Sequence, residues 1–283
     1  MTSAATEPLR QASASQQADS GGLAHRGKWG AERLRRTMGL AAGVATHLLF
    51  GFTVWHLFYF LKGRVPAESV APSRGPLLVD GLLALQFAVP HSILLHPATR
   101  RRLRPWIASP FYGLFFCAAT CLSLLLTIAC WRPCDVAIWS LDGPAGAAMS
   151  WAFGLSWVAL FYSLHLSGLG YQTGLTPWLA WVRRQPPPPR EFREQGWYRW
   201  FRHPIYLSFL GLIWFTPHMT LDRAVLTGIW TIYIFVGSWL KDRRLEFYNG
   251  ASYFEYESRV PGYPLLTFGP LGRRRVPSEN LAE

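Results

Sequence analysis

Residues 38–61 read MGLAAGVATHLLFGFTVWHLFYFL, a run without a single Asp, Glu, Lys or Arg. A helix rises about 1.5 Å per residue, so roughly 20 such residues cross the hydrocarbon of a bilayer. Further apolar segments follow at about 76–95, 109–130, 147–168, 204–219 and 223–240. The segment at 204–219, ending near Pro217 and His218, is the shortest. The expected fold class is all-α. It is a polytopic membrane helix bundle of about six transmembrane helices, with a C-terminal helical hairpin and a cytoplasmic amphipathic helix.

Composition agrees. Charged residues are 16% of the 283, against roughly 25% in soluble proteins. Aromatics reach 15%, and mean hydropathy is +0.12. Such apolar content excludes disorder for the bulk of the chain. Four Cys are too few for a disulfide-built secreted module. The net charge of +12 raises the question of a nucleic-acid partner. However, all but five of the 28 Lys and Arg fall in the N-terminal tail, in alternate loops and after the last span. The five are Lys62, Arg64, Arg74, Arg132 and Arg223. The positive-inside rule accounts for this pattern and puts both termini in the cytoplasm. No nucleic-acid partner is expected.

Residues 1–25, rich in Ala, Ser, Gln and Gly, predict a disordered tail rather than a signal peptide, since the first apolar segment is too long for one. Outer loops are expected at 62–75 and 131–146, the latter with Trp131 and Trp139 as interfacial anchors. Pro186–Pro189 form a stiff spacer in an inner loop. After the last span, 241–258 predicts an amphipathic helix on the spacing Leu240, Arg244, Phe247, Ala251. The glycines of GLGYQTG (168–174) lack the preceding strand of a dinucleotide loop and read as a helix-ending turn. The four Cys form two pairs, Cys117/Cys121 and Cys130/Cys134; the first sits one turn apart in a lipid-facing segment without neighbouring His or carboxylate ligands, so they read as packing residues and no metal is expected.

Three places carry chemistry. His91 and Ser92 follow Pro90 late in the second span, and an intramembrane His is a functional residue by default or an interhelical hydrogen-bonding one. His47 and His56 read as structural. The second place is GWYRWFRHPIY (196–206). Pro204 suits the first helical position, where free N–H groups and the dipole favour an anion. Arg202 adds a carboxylate fork, and Tyr198, Trp200 and Tyr206 offer faces for a cation. A ligand with a carboxylate and a sulfonium, such as S-adenosylmethionine, meets both demands. An interfacial Arg/aromatic belt is the plainer alternative. The third place is KDRRLEFYNGASYFEYESRVPGYP (241–264), with Asp242 and Glu246 one turn apart and Tyr253, Tyr256 and Arg259 at steps of three.

Together these clusters resemble the isoprenylcysteine carboxyl methyltransferase superfamily of integral-membrane methyltransferases. Gly196, Tyr198, Arg202, His203, Pro204 and Tyr206 match the first part of its signature. Asp242, Leu245, Gly250, Tyr253, Tyr256, Arg259, Val260 and Pro261 match the second. LLALQFAVPHSILLHPATRRRL (82–103), WRP (131–133), GLGYQT (168–173) and Thr216-Pro217-x-x-Thr220 are similar to its methanethiol S-methyltransferase branch. Two departures stand out: Lys241 replaces the first residue of the acidic pair, and Asn249 replaces a Phe. The arginine that would meet a prenylcysteine carboxylate falls near Gly237.

Composition predicts a disordered basic tail at 1–37 and a flexible tail at 265–283, and the resemblance implies a methyltransferase domain at 38–264 between them, with its cofactor part at about 171–264. It implies S-adenosylmethionine as co-substrate, bound by Gln172, Tyr198, Arg202, His203, Pro204, Ile205, Tyr206 and Asp242. Glu246 and Arg259 would face the substrate, and His91 would be the catalytic base. The expected acceptor is a small thiol, methanethiol in the closest branch, giving dimethyl sulfide. The bilayer would be the other partner. The alternatives are methylation of a lipid or a prenylcysteine, or a non-catalytic membrane protein of the superfamily.

Overall fold

The computed structural model describes residues 7–63, 77–189 and 194–274, with side chains in the first helix from Glu32 onward. The expected outer loop at 62–75 lies, beyond Gly63, outside the described residues. The chain divides into two compact units, Met1–Thr46 and His47–Glu283. Described residues of the first unit are all helical.

In chain order the helices are α1 (Glu7–Lys62), α2 (Leu77–Leu95), α3 (Pro97–Leu103), α4 (Tyr112–Cys130) and α5 (Gly143–Leu166). Then come α6 (Leu169–Gln172), α7 (Leu175–Val182), α8 (Pro204–Trp214), α9 (Leu221–Asn249) and α10 (Ala251–Arg259). Single 3-10 turns cover Ser109–Phe111 and Gly196–Arg199. Among the described residues, five helices are long and apolar enough to cross a bilayer: Glu32–Lys62 of α1, α2, Ser109–Cys130 including α4, α5 and α9. Their outward positions carry Leu48, Leu78, Trp151, Val158 and Ile232 exposed, as a hydrocarbon solvent allows. The protein is an all-α polytopic membrane bundle.

Four expectations shift. First, α1 is helical from Glu7, where composition predicts disorder. Its Ala, Gln and Arg are good helix formers, and the helix is continuous with a membrane span. Second, the segment at 204–219 is only 11 helical residues, α8, too short for the roughly 30 Å hydrocarbon thickness. It ends in strand β2 (His218–Thr220), which pairs antiparallel with β1 (Ala137–Ser140).

Third, the last span does not end at 240. Leu226, Trp230, Ile234, Ser238 and Asp242 are buried at steps of four, so the packed stripe carries α9 on to Asn249. Gly250, at φ +56°, breaks the helix, and α10 starts after it in place of one continuous 241–258 helix. Fourth, the indole N–H groups of Trp131 and Trp139 donate to Asp222 Oδ2 (2.8 Å) and the Thr216 carbonyl (3.1 Å). Both indole N–H groups thus have partners within the protein.

The core lies where α5 packs on α8, α8 on α9, and α9 on α2. Leu57 and Leu61 of α1 join Ala84, Phe153, Trp157, Leu160, Leu212, Ile213, Leu226, Trp230 and Ile234 in one apolar cluster. Between α2 and α4 the contact is polar: Gln86 donates to Ser123 Oγ (2.8 Å) and Thr127 to the Leu83 carbonyl (3.1 Å). Interhelical hydrogen bonds of this kind hold spans together in lipid.

Candidate active site

The site is built around α8's first residue. Pro204 at N1 needs no hydrogen bond, so the two residues before it are free to pair elsewhere. Arg202 N–H donates to the Pro261 carbonyl (2.9 Å) and His203 N–H to the Gly262 carbonyl (3.1 Å). The Arg-His-Pro segment is thereby stitched to the chain leaving α10. Gly262 is required there: a Cβ would sit 2.5 Å from the Leu271 carbonyl oxygen and 3.1 Å from His203 Cδ2.

Arg202 is 2% exposed. Its Nη1 donates to the carbonyls of Glu257 (3.3 Å), Val260 (2.9 Å) and Gly272 (3.1 Å). Two of these are end carbonyls of α10, which a cation also suits electrostatically. Its Nη2 donates to Asp242 Oδ2 at 2.8 Å. The same oxygen accepts from His203 Nε2 at 3.0 Å, and Asp242 Oδ1 accepts from the Tyr253 hydroxyl at 2.5 Å. Burial is the main cause that pushes the Tyr253 hydroxyl far up, and the carboxylate adds to it. Burial pushes His203 down to about 4 against the opposing Asp242 hydrogen bond. The imidazole is therefore neutral, with Nε2–H as donor and Nδ1 without a partner among the described residues.

Without a ligand present, Arg202 and Asp242 are engaged by the protein itself. The Arg202 fork holds protein carbonyls and Asp242, and both Asp242 oxygens are occupied by protein donors. They form the frame of the site.

Beside the frame is a cation slot. Lys241 Nζ lies 5.5 Å from the Tyr198 ring centroid and 5.6 Å from that of Tyr206. The Tyr206 hydroxyl donates to the Gly237 carbonyl (3.3 Å), and that of Tyr256 to the Tyr198 carbonyl (2.5 Å). The expected third aromatic, Trp200, is 74% exposed and no part of the slot.

His91 is reached by rings of Phe87, Phe116 and Tyr233, at centroid distances of 5.4, 5.0 and 6.3 Å. Its Nδ1 is 3.3 Å from Thr120 Oγ1, and Ser92 lies against the Tyr233 hydroxyl. Tyr233 lies one turn before Gly237 on α9, so the ring beside His91 and the carbonyl that accepts from Tyr206 share one helix face.

Other expected residues lie elsewhere. Gln172 donates to Ser167 Oγ (2.6 Å) in the turn after α5. Ile205 packs on the apolar core. Glu246 accepts from Arg274 (2.6 Å), which also reaches Glu257 (3.1 Å). Arg259 is half exposed and pairs with Glu194 (2.9 Å) and Glu255 (3.8 Å). Neither Glu246 nor Arg259 meets the slot in these contacts. Residues 265–274, expected to be flexible, are tied by Leu271, Gly272 and Arg274. Among the described residues no group of three or more His, Cys, Asp or Glu could hold a metal ion.

Sequence reading missed Tyr233. It lies with Gly237, Lys241 and Arg244 on one face of α9, a spacing of three to four residues that was legible.

The chain is 30% identical over 245 residues to methanethiol S-methyltransferase 1 of Bradyrhizobium diazoefficiens, covering 81% of this chain and 82% of that protein. It is 28% identical over 239 residues to the methanethiol S-methyltransferase of Crocosphaera subtropica, covering 81% and 92%. A Nurim homolog of Drosophila melanogaster is 23% identical over 177 residues, 60% of this chain and 70% of that one. No family model matches. No solved structure matches. A membrane bundle with this Arg-His-Pro frame and these relatives is an integral-membrane methyltransferase of the isoprenylcysteine carboxyl methyltransferase-like class. Within that class the chain belongs to the methanethiol S-methyltransferase family.

Proposed function

We propose that the protein methylates methanethiol with S-adenosylmethionine, giving dimethyl sulfide. Family membership carries the acceptor, and the Tyr198/Tyr206 slot carries the donor. The donor brings a sulfonium and an ammonium, and the slot already accommodates one cation, the Lys241 ammonium. His203 Nδ1 adds a buried acceptor at the same frame. S-adenosylmethionine supplies an electrophilic methyl group; the chain's part is to orient it, exclude water and hold the thiol in line. His91, beside the Tyr233 ring on the same face of α9 as Gly237, serves the acceptor end. Both termini and the slot face the cytoplasm by the distribution of Lys and Arg, while the volatile thiol enters from lipid.

One observation favours a second reading, a membrane protein without catalysis: Lys241 stands in the cation slot. Headspace gas analysis of membranes given S-adenosylmethionine and methanethiol separates the two, beside Tyr206→Leu membranes and calorimetry of the purified protein with S-adenosylmethionine. Dimethyl sulfide from the wild type, sharply reduced in Y206L, is expected. No product with retained donor binding would point to a lipid acceptor, and no donor binding to the non-catalytic reading.

A further inference from the structure

Helices α2, α4 and α9 gather three aromatic side chains around one histidine. The His91 ring has Phe87 at 5.4 Å, Phe116 at 5.0 Å and Tyr233 at 6.3 Å between centroids. Its Nδ1 is 3.3 Å from Thr120 Oγ1, and its Nε2 makes no hydrogen bond among the described residues. An imidazole nitrogen without a partner at membrane depth is costly unless something else uses it. All four rings are half-buried, so the cage is open on one side. Its walls are not equivalent. Phe87 also meets Trp230 at 5.3 Å and Tyr233 at 6.1 Å, and it packs on the apolar core. Phe116, the ring nearest His91, meets no other ring among the described residues and stands outside that core cluster.

The cage and the cation slot lie along one face of α9. Tyr233 is one turn before Gly237, whose carbonyl accepts from the Tyr206 hydroxyl, and two turns before Lys241. The step from Tyr233 to Lys241 rises about 12 Å along the helix. That length leaves room for a donor with its cation in the slot and an acceptor about 3–3.5 Å from the methyl, in line with it. We infer that Phe116 sets the size of the acceptor: the Phe87, Phe116 and Tyr233 cage takes the shortest alkyl thiol and turns longer ones away. The inference rests on the function proposed above. Methanethiol offers one methyl group and one S–H. The aromatic faces bury the methyl, and Nε2 accepts from S–H in the tautomer whose Nδ1–H donates to Thr120. A longer chain has to displace a ring. Phe87 is braced by Trp230, so the outcome falls on Phe116. In a pocket fitted to one methyl group, each added methylene costs about tenfold to two-hundredfold in kcat/KM.

The test compares kcat/KM for methanethiol and n-propanethiol in the wild type, Phe116→Ala and Phe116→Leu. Headspace analysis reads the methyl sulfides formed, and calorimetry reads S-adenosylmethionine affinity on the same preparations. The wild type should favour methanethiol by at least about a hundredfold, two methylenes at about tenfold each. F116A should narrow that ratio by at least about tenfold and F116L by less, with donor affinity unchanged in both. F116L keeps an apolar wall on α4 and carries the test alone if F116A does not fold. A weaker wild-type preference overturns the inference while leaving the proposed function standing. A ratio that does not move in the folded variants overturns it as well. Weaker donor binding in either variant overturns it too, and assigns Phe116 to the donor. A wild type that methylates neither thiol overturns the function proposed above, and the inference with it.

Discussion

Replacing Arg202 by Ala tests the frame directly. The substitution removes one of Asp242's three donors and leaves a carboxylate that is 4% exposed facing only His203 and Tyr253. It also uncaps the carbonyls of Glu257, Val260 and Gly272. Breaking one side of a buried ion pair costs about 3–5 kcal/mol, because the partner stays buried without compensation. At roughly 2–4 °C per kcal/mol for a chain of this size, the loss is roughly 6–20 °C in Tm. Tryptophan fluorescence of detergent-purified protein measures it. A specific signature accompanies the shift: with the guanidinium gone, the 261–274 segment loses its tie at the Gly272 carbonyl and keeps only its backbone bonds and the Arg274 ion pairs, so trypsin should cut faster after Arg273 or Arg274 below the global Tm. Arg202→Lys should rescue only in part, since one ammonium cannot serve a carboxylate and three carbonyls in fixed directions. An R202A protein that melts within about 2 °C of wild type and resists trypsin would refute the account of the frame.

Two further outcomes follow from the same cluster. His203 is held at about 4 by burial against an ordinary value of 6.5, so its contribution to stability is full above pH 6.5 and is lost as the pH falls toward 4. Acid unfolding should thus weaken the wild type by about 3 kcal/mol more than His203→Gln across that window, and equal slopes would contradict the neutral imidazole. Lys241→Gln empties the slot between Tyr198 and Tyr206, so calorimetry should find S-adenosylmethionine binding roughly twofold to thirtyfold tighter; weaker binding would mean that Lys241 contacts the donor instead.

The spans were legible because lipid permits nothing but long apolar helices, and the Arg-His-Pro and Tyr-x-x-Tyr signatures were legible as residue strings. What the strings do not carry is partnership. Arg202 reads as a free fork until the fold brings Val260 and Gly272, far along the chain, against it. The charges at 241–246 look like solvated residues past a membrane end. In the structure Asp242 is the last member of a buried stripe that began at Leu226. Residues 265–274 look loose because Gly and Pro interrupt them, yet Leu271 and Arg274 bind them to the site. The spacing Leu240, Arg244, Phe247, Ala251 sets Arg244 among apolar positions. Drawn back to Tyr233, the same spacing sets it beside Gly237 and Lys241.

Arg202 closes its hydrogen bonds on residues 257–272, which lie downstream of every membrane helix. During synthesis the bundle can therefore be threaded into lipid while the frame around Asp242 is still open. Only when Gly272 has emerged and folded back does Asp242 stand in a finished network. The order of translation thus doubles as a safety catch: the nascent protein completes this frame last, after the last helix has found the membrane.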